Sequence, residues 1–230
     1  MTGTLINVAT VLAGTLVGTL LGARLPEGLQ RRVLAGLGLV TLVLGVDYAL
    51  VWRETNPLIV LGAVLIGGIV GEAVGIERRL ESLGDAIQRR LGGEGSTVSE
   101  AFFTASLLFC VGPLAVVGSI QDGLTGDYSA LATKALLDGF AAIALASTLG
   151  WGVGLAAVTV LMLQGGLALG AGAVAPLLRG EALAALTSAG GILIIGISLR
   201  LLDVRDVKVG NFLPALVVAP ALVGLVAAFR

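Results

Sequence analysis

AFFTASLLFCVGPLAVVGSIQDG (101–123) is an apolar run broken by Gly-Pro at its middle and closed by Gln121, Asp122 and Gly123. Residues 101–120 carry no charge, and about 20 such residues are what an α-helix needs to cross a hydrocarbon core roughly 30 Å thick. Pro113 lacks an N–H and its ring clashes with the preceding turn, so the segment reads as a membrane helix kinked or broken at Gly112-Pro113. At membrane depth, carbonyls freed before Pro113 are tolerated only where protein or a water-filled cavity satisfies them. A half-helix starting near Pro113 directs its N-terminal N–H groups, with their positive partial charge, toward the midplane.

The rest of the chain has the same solvent. Of 230 residues 57% are apolar and 13% charged, against roughly 25% charged in a soluble domain, and the mean hydropathy is +1.03. Spans are expected at about 4–23, 33–52, 57–76, 101–120, 131–150, 153–174, 183–202 and 210–229. A lipid-facing backbone must satisfy its own hydrogen bonds, and the alternation of a barrel strand is absent, so the fold class is an all-α polytopic membrane protein of about eight transmembrane helices. The stretch 5–23 lacks a basic leader and is too long for a signal-peptide core, which makes it a retained span.

Cys110 is the single cysteine and there is no His, so no zinc, haem or iron–sulfur ligand set is available, and neither metal nor cofactor is expected. No enzyme is expected either, since a nucleophilic dyad would have to be assembled from Ser or Thr with Lys134. The net charge of −1, with basic residues scattered among short loops, speaks against nucleic acid.

Arg24, Arg31, Arg32, Arg78, Arg79, Arg89, Arg90, Arg200, Arg205 and Lys208 fall in three connections and make up 10 of the 14 basic residues. Placing them in the cytoplasm sets both termini outside a bacterial or archaeal cytoplasmic (inner) membrane. In IERRLESLGDAIQRRL (76–91), Leu80, Leu83, Ile87 and Leu91 form an apolar stripe with charges on the other face. That pattern predicts an amphipathic helix in the cytoplasmic interface, an anchor with snorkelling arginines or a surface for anionic lipid.

TVLAGTLVGTLLGA (10–23) resembles TVLMLQGGLALGAGA (159–173), LVLGVDYAL (42–50) resembles LIIGISLRL (193–201), and NPLIVLGAV (56–64) resembles NFLPALVVA (211–219). Spans 1–3 then correspond to spans 6–8, and an odd offset of helices inverts one copy relative to the other. The expected organisation is one membrane domain: 1–76 as first repeat, 77–97 as interfacial helix and linker, 98–152 as central spans, and 153–230 as second repeat. Inverted repeats recur in secondary transporters with midplane sites built from broken helices.

The 35 glycines imply closely approached helices, and Gly-rich faces also suit a homo-oligomer. Acidic groups in spans are costly, about 2.5–3.5 kcal/mol each at a helix centre. Asp138 is the one least able to reach water, and Lys134 lies four residues before it on the same face; the pair is either a structural ion pair or a proton or cation site. Glu72 has a snorkelling route to Arg78 or Arg79, and Asp47 one to the outer boundary. Gln164, followed by two glycines, needs partners for a buried carboxamide. The candidate site comprises Asp122, Asp138 and Lys134 with Ser119, Gln121, Asn7 and Gln164 as neutral ligands, and Asp122 near the surface as an outer gate.

The pattern Gly118-Ser119-Ile120, Asp122-Gly123, Gly126-Asp127, Lys134, Asp138-Gly139 and Gly210-Asn211 resembles the family called domain of unknown function 554, the YqgA/YdfK-like bacterial membrane proteins, over essentially the whole length. The resemblance implies a multi-spanning inner-membrane protein with a transport role and no assigned substrate. It also implies that this chain lacks a carboxylate at Gln121, a position often acidic in the family. The residues thus lead to a transporter of a small solute or ion, proton- or cation-coupled; the rival is a non-transporting membrane scaffold or sensor.

Overall fold

A computed structural model describes residues 1–22, 26–79, 82, 97–110 and 113–228, and among them there are helices and no strands. The helices longer than two turns are α1 Thr2–Gly22, α2 Glu27–Leu50, α3 Pro57–Val74, α4 Thr97–Cys110, α5 Pro113–Thr125, α6 Ser129–Leu149, α7 Ala156–Leu169, α8 Glu181–Leu201 and α9 Ala215–Ala228, and a single helical turn, Ala171–Val174, follows α7. Short 3-10 turns, Val51–Glu54, Trp151–Leu155 and Val209–Phe212, extend α2 and lead into α7 and α9. Among the described residues seven helices are long and apolar enough to cross a membrane, and eight if α4 and α5, bent by 62°, make one broken span.

Local chemistry sets the ends. Asn56 caps α3 by accepting the Leu58 N–H at 2.9 Å, with Pro57 at the first helical position, where its missing N–H costs nothing. Gly75 closes α3 at φ +68°, a left-handed conformation that glycine adopts without strain. Leu16, Leu58, Phe140, Met162 and Leu169 are more than half exposed, whereas Asn7, Asp122, Lys134, Asp138 and Gln164 are buried. Large apolar side chains outside and polar groups inside suit a chain dissolved in lipid.

The chain divides into two compact units that interleave in sequence. The first holds residues 1–37 and 80–172. In it α1 and α6 run parallel: Gly14, Gly18 and Gly22 lie one turn apart, and a Cβ on each would meet the carbonyl of Gly139, Ile143 or Ser147 respectively. Small residues at four-residue spacing let the two backbones touch. α7 runs antiparallel to α1, with Gly165 beside Thr4 and Gly154 beside Thr15, while Gly123 of α5 lies against the Ala168 carbonyl of α7.

The second unit holds residues 38–79 and 173–230. α2 and α8 pack antiparallel where Gly45 meets Gly191 and Gly38 meets Leu202, and Ser188 donates to the Ala49 carbonyl at 2.9 Å. α3 and α9 also pack antiparallel, Gly67 against Ala215 and Gly71 against Asn211. Ile59, Ala63, Ala185, Ala189, Ala215 and Ala219 fill the core.

Of the interfacial helix expected over 76–91, residues 76–79 form a helical turn, and 80–81 and 83–91 lie outside the described residues, as do Gly112 of the expected break and Arg24, Arg89 and Arg90. Within the turn one expectation is corrected. Glu77, assigned by the apolar stripe to the water-facing side, is buried.

Candidate functional site

In an uninterrupted α-helix the carbonyl of Phe109 would accept the N–H of residue 113. That residue is proline and begins α5, so the carbonyl needs another donor. Lys134 supplies it from α6, donating from Nζ to the Phe109 oxygen at 2.5 Å. The same ammonium pairs with Asp138 Oδ2 one turn further along α6, and Asn7 of α1 donates from Nδ2 to that oxygen at 2.9 Å. Lys134 is 6% and Asp138 7% exposed. Asp138 is the tenth of the 21 residues of α6, about 14 Å along the helix at ~1.5 Å per residue. A buried pair needs its remaining hydrogen bonds filled to offset desolvation; the break and Asn7 do so.

Beside this satisfied set lies an unsatisfied one. Thr4, Asn7 and Gln164 are fully buried, and Thr4 Oγ1, Asn7 Oδ1, Gln164 Oε1 and Gln164 Nε2 have no hydrogen-bond partner among the described residues. Thr4 is one turn before Asn7, and a Cβ placed on Gly165, the neighbour of Gln164, would lie 4.0 Å from the Thr4 methyl. Nearer the start of α1, Asp122 Oδ2 accepts the Gly3 N–H at 3.1 Å and lies 2.9 Å from the Met1 amino group. A carboxylate placed on the free N–H groups of a helix N-terminus is favourable. Asp122 is therefore covered by the first turn of α1, at 4% exposure, near the end of α5.

The family model described as a protein of unknown function (DUF554) matches residues 2–224. The chain belongs to this family. It is 29% identical over 231 residues to the uncharacterized membrane protein YdfK of Bacillus subtilis (strain 168), a match covering 100% of this chain and 98% of the relative. It is 31% identical over 226 residues to the uncharacterized protein YqgA of Escherichia coli (strain K12), covering 96% and 95%. No solved structure matches. With its apolar helices, this DUF554 member is a multi-pass membrane protein.

The remaining expected ligands of this DUF554 chain make their hydrogen bonds to groups other than Asp138. Ser119 is buried and donates within α5 to the Ala115 carbonyl at 2.5 Å. Gln121, half-buried in the last turns of α5, donates to Asp127 Oδ2 just beyond the helix at 2.8 Å; its hydrogen bond goes to Asp127, not to the Lys134–Asp138 pair. The Ser129 backbone N–H, which Asp127 Oδ1 accepts at 3.0 Å, then the Ser129 hydroxyl and the Gln121 amide, hold the Asp127 carboxyl below the usual carboxylate range.

Sequence reasoning missed Thr4 and the Phe109 carbonyl, although Pro113 minus four residues points to the second. It also missed a network in the second unit. Glu77 Oε2 accepts the Gly210 N–H at 2.6 Å, Glu77 Oε1 lies 3.5 Å from Arg200 Nη1, and Asn211 Oδ1 accepts the Glu77 N–H at 2.9 Å. Asn211 Nδ2 donates to Glu72 at 2.5 Å, so Glu72 has a partner besides the arginines proposed for it. The signal was the Gly210-Asn211 pair before an apolar helix. No group of three or more His, Cys, Asp or Glu placed to hold a metal occurs among the described residues.

Proposed function

We propose that this protein is a transporter of a small solute or ion, coupled to a proton or cation, with its site where α4 and α5 break against α1, α6 and α7. One observation carries the reading: Thr4, Asn7 and Gln164 hold buried, unpartnered polar atoms in the unit that buries the Lys134–Asp138 pair. Unpaired buried amides and hydroxyls each cost about 1–3 kcal/mol, and a site that must accept a passing ligand gives a reason to keep them. Asp138 is the proton or cation group, Lys134 its counter-charge, and Asn7 and Gln164 neutral ligands. Asp122 acts beneath the first turn of α1, while Ser119 and Gln121 shape α5 and its exit turn.

The inverted repeat supports alternation between two access states. Each proposed pair of equivalent spans, 1 with 6, 2 with 7 and 3 with 8, packs antiparallel within one unit, as an axis in the membrane plane demands.

The protein is placed in a bacterial or archaeal cytoplasmic membrane with both termini outside, acting without cofactor or covalent chemistry, on its own or as a homo-oligomer. Purified protein in liposomes is expected to carry flux of a proton, alkali cation or small organic solute that falls at least tenfold in Asp138→Asn. Flux indifferent to both Asp138→Asn and Asp122→Asn sinks the assignment and leaves the scaffold reading. In a Cys110→Ser background, a cysteine at Asp127 should react with an impermeant maleimide from outside and one at Arg205 only after permeabilisation.

A further inference from the structure

We propose that the second unit binds one molecule of phosphatidylethanolamine in a groove between α3 and the turn that leads into α9. The groove has a volume of about 620 Å³ and is open along one side, within the roughly 300–1,000 Å³ over which proteins hold small molecules. Its wall on α3 is Leu65, Gly68, Ile69 and Glu72, which recur every three or four residues and so share one helix face. Phe212 lines the other side. Gly68 sets the width, because a Cβ there would lie 2.7 Å from the Phe212 ring. Leu65 is 56% and Ile69 70% exposed, an apolar strip of the kind that acyl chains cover.

Charge complementarity selects the occupant. Glu72 and Lys208 line the same groove, both are exposed, and among the described residues neither makes an ion pair. Asn211 Nδ2 donates to Glu72 Oε2, which fixes the carboxylate in place without neutralising it. Glu72 stands in the last turn of α3, which carries no basic residue, at the end of the helix dipole that favours a cation. A headgroup with a phosphate and a primary ammonium joined by two carbons answers both side chains: the phosphate takes Lys208 Nζ and the ammonium takes Glu72, in charge-assisted hydrogen bonds. Phosphatidylcholine offers Glu72 a quaternary ammonium with no N–H to donate, and phosphatidylglycerol brings a net negative charge beside the carboxylate.

The groove also has the polarity of a lipid along its length. Glu72 lies two residues before the end of α3, and Leu65 is two turns further into the span, about 10 Å at ~1.5 Å per residue. The headgroup therefore sits where the span ends and the acyl chain runs toward its middle. Bound in this way the lipid bridges α3, through Glu72, to the residue that precedes the turn into α9, Lys208. Every lining residue belongs to the second unit, while Asp138, Lys134, Asn7 and Gln164 belong to the first, so the proposal stands or falls apart from the transport reading.

The test is native mass spectrometry of the full chain, purified in detergent, stripped of lipid and given an equimolar mixture of phosphatidylethanolamine, phosphatidylcholine and phosphatidylglycerol with identical acyl chains. The expected result is one phosphatidylethanolamine retained per chain, in about fivefold excess over either competitor, the size of effect that one exposed ion pair supplies. Glu72→Gln, whose amide oxygen still accepts from Asn211, should keep the fold and bring phosphatidylethanolamine down to the level of phosphatidylcholine. Lys208→Gln should lower retention of both alike, since both offer the same phosphate. Ala73→Trp places an indole in the groove, which Ala73 lines, and should abolish the selective site with both charges still present. Equal retention of the three lipids by the unaltered chain, a result that needs no variant, overturns the proposal; direct pairing of Glu72 with Lys208 would produce it. Preferred retention of phosphatidylglycerol, or a phosphatidylethanolamine preference that survives Glu72→Gln, overturns it too. A dimer that excludes lipid and dissociates in Ala73→Trp gives the groove to a second copy of the chain and overturns it as well.

Discussion

Lys134 donates to the carbonyl of Phe109, 25 residues away and at 2.5 Å, and that carbonyl is the one Pro113 cannot engage. The break in the α4–α5 span and the cation of α6 are therefore one feature. Lys134→Met should strand both the carbonyl and the Asp138 carboxylate, destabilising by about 3–5 kcal/mol as breaking a buried pair does. Lys134→Met with Asp138→Leu removes both charges and should recover more than half of that loss. Unfolding in detergent reads both; a double variant no better than the single would mean the pair is not coupled.

The glycine stripe of α1 makes a sharper packing prediction. A Cβ at Gly18 would run into the Ile143 carbonyl, which is backbone and has nowhere to go. Gly18→Val should push α1 off α6, at a cost of about 1–3 kcal/mol or more, and release Asn7 from Asp138. Gly36 of α2 has open space at its Cβ position, so Gly36→Ala should leave stability unchanged or raise it by about 0.5–1 kcal/mol. Equal losses at both sites would show that contact of Gly18 with the α6 backbone does not set the cost.

The membrane class, the spans and the break at Pro113 were legible because each follows from chain chemistry alone: uncharged length, hydropathy and a missing N–H. The Lys134–Asp138 pair was legible from four-residue spacing on one helix. Asn7 could be named as a ligand but not placed, since its bond to Asp138 crosses 131 residues. Hydropathy puts Asp122 at a span end, but its cover by the N-terminus of α1 crosses 119 residues and could not be read from spacing. Glu77 was misread because a helical stripe ranks faces by lipid and water and is blind to a third surface, here Gly210 and Arg200.

Asp127 gives a pH prediction outside the membrane. Its folded carboxyl titrates below the ordinary 3.8, so the stabilisation it brings is complete above that unfolded value and is lost as pH falls through the lower folded value. Amide exchange at Ser129, which donates to Asp127, should show constant protection from pH 8 to about pH 5 and a loss only below about pH 4. Asp127→Ala should show the low protection at every pH. Protection lost between pH 7 and pH 5 would point to another group.

Asn211 and Glu77 hold the start of α9 to the end of α3 through bonds that satisfy one another. Asn211→Ala leaves the Glu77 N–H without the acceptor it has at 2.9 Å and takes from Glu72 its amide donor; one such buried group costs about 1–3 kcal/mol. Asn211→Asp keeps the acceptor but turns a carboxylate toward Glu72, so it should be worse than Ala, most of all at neutral pH. Glu77→Gln keeps an acceptor for the Gly210 N–H and loses the charge facing Arg200, and it should be milder than either. Hydrogen exchange should show the loss in α3 and α9 with α6 spared, because these bonds lie wholly within the second unit. The order Asp, then Ala, then Gln in severity is what separates a charge-assisted latch from mere filling of space: by volume alone Asn211→Asp would be as mild as Glu77→Gln and milder than Asn211→Ala.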